Sequence, residues 1–267
     1  MQIQASDDEI YQRDPVRDRE GEGDGVILHD GRLGAVFPAE LFRPEAAAIQ
    51  GGGTGRGEAV FLSATRKTEA GEEEVALVLR HFRRGGLLGR MLGDRYIRNG
   101  LARSRPVREW RLMRELRRQG LPVPAPVAVR VAPRGLIYRG DLITERLEGA
   151  VPLADLLEAG NASLTLWEWV GATIARFHAA GAWHADLNVR NILVDDASGI
   201  WLIDWDRGRL GVRRAGPLRA NLRRLRRSLD KEVKSHPAGS NTALLERSIH
   251  EGWPALERGY YRGAGNG

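Results

Sequence analysis

Residues 184–208 read HADLNVRNILVDDASGIWLIDWDRG, and no other stretch limits so sharply what this chain can be. Ile192 to Asp195 is an apolar run, Asp196 to Gly199 supplies turn residues, and Ile200 to Ile203 is a second apolar run, the pattern of an antiparallel hairpin. Such a hairpin sets the start of its first strand beside the end of its second, within about 5 Å. Asn191 and Asp204 are therefore predicted neighbours, and the loop entering the hairpin adds Asp186 and His184. Two carboxylates and an amide at one rim suit Mg2+, a hard ion that takes one or two protein carboxylates together with substrate phosphates.

The spacing of this segment resembles the protein-kinase-like superfamily, whose catalytic loop has the form H-x-D-L-x-x-x-N followed by a strand-borne metal aspartate. The resemblance implies that Asp186 orients and deprotonates the acceptor hydroxyl, that Asn191 and Asp204 hold Mg2+, and that His184 supports the loop. Ala185 stands where arginine usually follows the histidine, as in sugar and small-molecule kinases without activation-loop control. Trp205 and Asp206 replace the usual Phe-Gly, so Phe-dependent switching is not expected, and Asp206 is a candidate second metal or substrate contact.

The implied fold is α+β: a two-lobed protein-kinase-like chain with an N-lobe of antiparallel sheet plus helix and a helix-rich C-lobe. The patterning is consistent with it. Ala59 to Ala64 and Val75 to Phe82 read as two strands around a charged turn, Arg66 to Glu74. Val107 to Arg118 has apolar residues at helical spacing, and the helix ends at Gly120 before the extended LPVPAP. Leu136 to Leu147 reads as a hairpin. Beyond Gly149 the chain turns helical, with Leu153 to Glu158 short and Leu164 to Ala180 long, the latter carrying a core stripe of Leu166, Val170, Ile174 and Phe177. These readings place a nucleotide-binding lobe at 25–146 and a catalytic, acceptor-binding lobe at 147–267, after a charged, poorly ordered segment 1–24.

Two further elements are expected at the phosphate end. GGGTGRG, Gly51 to Gly57, precedes a strand and could line phosphates with backbone amides, which makes Gly53, Gly55 and Gly57 candidates although no register fits G-x-G-x-x-G. The strand EVALVLR ends in Arg80 where kinases carry a phosphate-binding lysine, so Arg80 takes that role with Glu109 of the following helix as its brace. The competing reading is an exposed edge-strand arginine.

Charge narrows the partner. The net charge is +6, with three lysines in the whole chain, so the positive charge is almost all guanidinium, the fork that matches phosphate and carboxylate. Thirteen arginines stand between Arg80 and Arg118, and nine between Arg207 and Arg227 with no acid among them. Little aromatic residue is interleaved to stack bases, so a nucleic-acid partner is not expected. The absence of cysteine excludes disulfides and thiolate chemistry and makes the cytoplasm the default. With no run of eighteen apolar residues and an acidic start, neither a spanning helix nor a signal peptide is expected.

From about Gly51 to Lys231 the chain resembles the 3-deoxy-D-manno-octulosonic acid (Kdo) kinase family of Gram-negative bacteria. The residues that carry this are VLRHFRRGGLLGRMLGDRYIRNG, REWRLMRELRRQGLPVP, DLITERL, HADLNVRNILVD and LIDWDRGR running into an arginine-rich helix. That family also has arginine at the position of Arg80. The resemblance implies transfer of the ATP γ-phosphoryl group to the 4-hydroxyl of a Kdo residue on a Kdo-bearing lipid A precursor. It also implies a peripheral location at the anionic cytoplasmic face of the inner membrane. A protein substrate is not expected, since no long activation segment follows Asp206 to form a peptide platform. The alternatives are another lipopolysaccharide-core sugar or small-molecule kinase and an RNA-associated atypical kinase. Pro217 to Leu229 is read as an amphipathic basic helix, its leucines inward and Arg219, Arg223, Arg224, Arg226 and Arg227 outward, where they could meet lipid headgroups or lipid A phosphates.

Overall fold

The structure, a computed structural model, describes residues 9–13, 25–30, 37–43, 52–53, 59–68, 71–82, 96–97, 101–134, 137–235 and 242–264. The chain divides into two compact units. One is built from residues up to Arg114 together with Pro124–Arg146, the other from Glu115–Val123 and Leu147 onward.

The first unit is a sheet with a helix. Its strands are β1 (Glu9–Arg13), β2 (Val26–Asp30), β3 (Gly52–Gly53), β4 (Ala59–Thr68), β5 (Gly71–His81), β6 (Tyr96–Ile97), β7 (Pro126–Arg134) and β8 (Ile137–Glu145). Helix α1 (Arg105–Arg118) lies between β6 and β7 in the chain. The strands run β1-β2-β7-β8-β5-β4-β3, with β6 also on β8, and the pairing is antiparallel. Ile27, Leu62, Leu77, Leu79, Ala128 and Ile143 form one core with Phe37 and Phe42. This is the expected antiparallel sheet plus helix, with three local differences.

Strands β4 and β5 continue through the charged residues expected to form a turn. Opposite charges face each other across the ladder there, Arg66 against Glu73, and Arg66 Nη2 reaches Glu73 Oε2 at 2.9 Å. The segment expected as a hairpin is one strand, β8, whose partner is β7. Gly140 is not its turn: a Cβ there would lie 2.5 Å from Cγ of Pro106, so the glycine lets α1 approach the strand. Within the N-terminal stretch expected to be poorly ordered, residues 9–13 are a strand. Arg111 of α1 fixes it, since its guanidinium pairs with the buried Glu9 carboxylate (Nε to Oε2 3.0 Å) and its Nη2 donates to Tyr11 Oη at 2.7 Å.

The second unit is helix-rich. It holds a small sheet of β9 (Val151–Pro152), β10 (Ile192–Val194) and β11 (Ile200–Leu202) in the order β11-β10-β9. Its helices are α2 (Leu153–Glu158), α3 (Leu164–Ala179), α4 (Ala215–Ser235) and α5 (Thr242–Ala264). Ser163 caps α3, accepting from the Leu166 N–H at 3.1 Å. The stripe of Leu166, Val170, Ile174 and Phe177 is buried. Helices α3 and α5 meet closely because Gly259 lacks a side chain: a Cβ there would lie 2.0 Å from the Glu168 carbonyl oxygen. Residues 115–123 join this unit through the Leu202 N–H bonding Pro122 O and Arg176 Nη2 bonding Gly120 O, each at 3.0 Å.

Candidate active site

The hairpin forms where the sequence places it, pairing Ile192 with Leu202 and Val194 with Ile200. Its open end joins the two expected metal residues through the backbone, since the Ile203 N–H donates to the Asn191 carbonyl at 3.0 Å and Asp204 follows at once. Asp204 sits at φ 61°, in the left-handed region that a non-glycine residue adopts only when its surroundings hold it there. Asn191 donates from Nδ2 to the Asp186 carbonyl at 2.9 Å, which binds the loop's two ends and leaves the amide oxygen Oδ1 as the group free to take a hard cation. Among the described residues no three His, Cys, Asp or Glu side chains gather to hold a metal unaided. An aspartate and an amide oxygen fit Mg2+ when nucleotide phosphates complete its shell.

His184 is the pivot of the loop. Its Nδ1 accepts the Asp186 N–H at 3.1 Å, so the ring proton is on Nε2, which donates to the Ile203 carbonyl at 2.9 Å. Loop and hairpin are thereby tied through one ring. Burial pushes its pKa down against the opposing pull of the Ile203 carbonyl, Asp204 and Asp186, and the imidazole stays neutral, as a support must and a proton donor must not. Trp205 is fully buried, its indole N–H on the Leu202 carbonyl at 3.1 Å and its ring between Phe177 and His184. It is a core wedge. The chain then turns back at once, with Trp183 and Arg209 exchanging backbone hydrogen bonds at 2.7 and 2.9 Å.

Helix α4 shapes this loop in a way the sequence reading missed. Asn221 accepts the His184 N–H at 3.1 Å and donates to the His184 carbonyl at 2.7 Å. Arg224 Nε lies 3.1 Å from Asp186 Oδ1. Ser228 Oγ accepts the Val189 N–H at 3.1 Å, and Glu232 pairs with Arg190. These residues are spaced 3, 4 and 4 apart, so they form one polar stripe that meets 184, 186, 189 and 190 in order. Arg190 continues to Glu158 at 3.3 Å, tying the loop to α2 as well. The signal is present in the sequence: Asn221, Ser228 and Glu232 interrupt an arginine-leucine run at helical spacing.

His178 is a packed structural residue. Its Nδ1 lies 2.9 Å from Tyr260 Oη and its Nε2 3.4 Å from Asn221 Oδ1, and burial lowers its pKa to about 4.

In the sheet unit, Arg80 and Glu109 come together, with Nη2 2.5 Å from Oε1. The carboxylate is buried and the guanidinium mostly so, stacked 4.9 Å over the Phe82 ring. Strand β5 pairs on both sides, with β4 and β8, so the edge-strand reading of Arg80 fails. One rung of the sheet runs Gly53, Ala59, Arg80, which puts Gly53 two strand spacings, about 10 Å, from Arg80. Gly55 and Gly57 lie outside the described residues.

The arginine-rich helix is as amphipathic as expected, with Leu222, Leu225 and Leu229 buried. Its arginines, however, are not equivalent. Arg219, Arg223 and Arg227 are exposed, whereas Arg224 turns to Asp186, and Arg226 lies 3.3 Å from Asp230 and over the Trp253 ring. The outward set expected from the sequence is thus reduced to Arg219, Arg223 and Arg227, because Arg224 and Arg226 each have a carboxylate of their own unit within reach.

Residues 45–260 match the model described as the lipopolysaccharide kinase (Kdo/WaaP) family. The chain is 43% identical over 250 residues to a 3-deoxy-D-manno-octulosonic acid kinase of Xanthomonas euvesicatoria pv. vesicatoria, covering 91% of this chain and 95% of that protein. It is 41% identical over 242 residues to the protein of that name from Stenotrophomonas maltophilia K279a, covering 88% and 93%. A solved structure titled glucosamine kinase (crystal form B) aligns with 96% of this chain and 83% of its own, with a TM-score of 0.47 and 12% identity.

Proposed function

The chain belongs to the lipopolysaccharide kinase (Kdo/WaaP) family, and from that membership we propose that it transfers the γ-phosphoryl group of ATP to the 4-hydroxyl of a Kdo residue on a Kdo-bearing lipid A precursor. The observation that carries this reading is the gathering of Asp186, Asn191 and Asp204 around one hairpin, on a loop clamped by His184 and Asn221.

In the proposed reaction Asp186 accepts a hydrogen bond from the acceptor hydroxyl, aligns its oxygen with the γ-phosphorus, and takes the proton as the new O–P bond forms and the bond to ADP breaks. Asn191 and Asp204 are the residues that would hold Mg2+, which would offset charge on the nucleotide phosphates. His184 contributes by keeping Asp186 and Ile203 in register. Arg80, braced by Glu109, binds nucleotide phosphate in place of the usual lysine. The deciding experiment offers purified protein ATP and a Kdo-bearing lipid A precursor beside a panel of heptose, hexosamine and aminoglycoside acceptors, read by mass. One phosphate added to the Kdo acceptor, and not to the panel, is the expected result. Preferential turnover of a panel sugar would replace this reading.

We further propose that the protein works at the cytoplasmic face of the inner membrane. No helix among the described residues is long and apolar enough to cross a membrane, so the contact would be peripheral. Arg219, Arg223, Arg227 and Lys231 follow one another at four-residue intervals along the exposed side of α4. Each basic residue near an anionic surface is worth about 1 kcal/mol. Replacing Arg219, Arg223 and Arg227 by glutamine should therefore weaken binding to anionic vesicles at least about tenfold, and wild-type binding should fall with rising salt. Salt-independent binding retained by the triple variant would leave the helix as scaffold.

A further inference from the structure

Of the four α4 side chains that meet the loop, three act as anchors. Asn221 and Ser228 bond backbone groups, and Glu232 pairs with Arg190. Arg224 differs, because it touches the carboxylate proposed to engage the acceptor hydroxyl. Its Nε lies 3.1 Å from Asp186 Oδ1, yet Nε is buried without the alignment of a hydrogen bond, and 43% of the side chain is exposed. The contact is an unfinished one beside the acceptor's place.

No neighbouring residue of the loop supplies this charge. Two positions after Asp186 stands Asn188, whose Oδ1 accepts the Arg190 and Asn191 N–H groups and whose Nδ2 donates to the Asp186 carbonyl. Arg190 is held by Glu232 and Glu158. The cation beside Asp186 therefore comes from α4.

We propose that Arg224 is an acceptor-recognition residue: docked on Asp186 through Nε, it offers the rest of its fork to a carboxylate carried by the sugar whose hydroxyl Asp186 engages. A guanidinium matches a carboxylate with two parallel N–H···O bonds, which a neutral sugar cannot return. In an ulosonic acid the carboxylate is borne by the anomeric carbon, close along the ring to the 4-hydroxyl, so one side chain against Asp186 can meet it. This rests on the acidic-sugar acceptor proposed above. It adds that discrimination against neutral sugars is made at this site and in the binding of acceptor, not of ATP.

The test compares the Kdo-bearing acceptor with the same molecule whose Kdo carboxylate has been converted to the primary amide. Wild-type turnover of the acid form decides the proposed function by itself, and the acid-to-amide preference decides Arg224. The wild type should prefer the acid through a lower KM. R224Q should raise KM for the acid about ten- to a hundredfold, the loss expected for a charge-assisted pair, with KM for ATP unchanged and the preference for acid over amide lost. R224K should lie between, having the charge without the fork. A wild type indifferent to the amide overturns the proposal whether or not R224Q folds. An equal drop in kcat on both acceptors overturns it too, and assigns the guanidinium to the transferring phosphoryl group. Unchanged R224Q kinetics would make the contact structural.

Discussion

Asp186→Ala should lower kcat about a thousandfold or more while leaving the protein folded. A positioned general base contributes about 10² to 10⁴ in rate, and in the proposed reaction this carboxylate also sets the acceptor's alignment. Folding should tolerate the change because the side chain is 55% exposed and its partner Arg224 43% exposed, a pair worth less than about 1 kcal/mol. What orders the loop is elsewhere: His184 between the Asp186 N–H and the Ile203 carbonyl, and Asn221 on both backbone groups of His184. ATP affinity, measured by equilibrium binding, should stay near wild type. Asp186→Asn, which keeps the shape and loses the base, should be nearly as slow as alanine. Turnover within tenfold of wild type in either variant would take Asp186 out of the chemistry.

The hairpin was legible because antiparallel pairing has a rigid consequence: turn residues at 196–199 force the ends at 191 and 204 together, whatever the rest of the chain does. The loop's supports were less so, because they arrive from far along the chain. Nothing local in His184 announces Asn221, 37 residues later. Only a helix-period reading of the polar residues of α4, beside its leucines, could have raised it. Strand β8 was misread because glycine in a strand has two causes, a turn or a close neighbour, and Pro106 settles it for Gly140. Strand β1 is hard to read locally because its anchors are distant, the β2 ladder and Arg111, a charge that looks like one of many basic surface positions. In an arginine-rich chain the paired arginines and the solvated ones read alike, and Arg224 and Arg223 differ only in which way the helix turns them.

Arg80→Ala should be the other severe change, and for two separable reasons. The Glu109 carboxylate is almost wholly buried, and removing the guanidinium 2.5 Å away takes a charge partner from it in a poorly solvated place. Breaking a buried pair from one side costs about 3–5 kcal/mol, so the midpoint of thermal unfolding should drop by well over 5 °C. Activity should fall further than stability explains, because the proposed role of Arg80 is to meet nucleotide phosphate. The two effects come apart in the double variant R80A/E109Q. With the carboxylate neutralised, much of the lost stability should return, since the buried charge has gone, while turnover at saturating acceptor stays at least about a hundredfold down and KM for ATP stays raised. Arg80→Lys keeps the charge and loses the fork, and should retain part of both. If R80A/E109Q recovered activity along with stability, Arg80 would be a brace for α1 against β5 and the phosphate cation would have to be sought elsewhere in the chain.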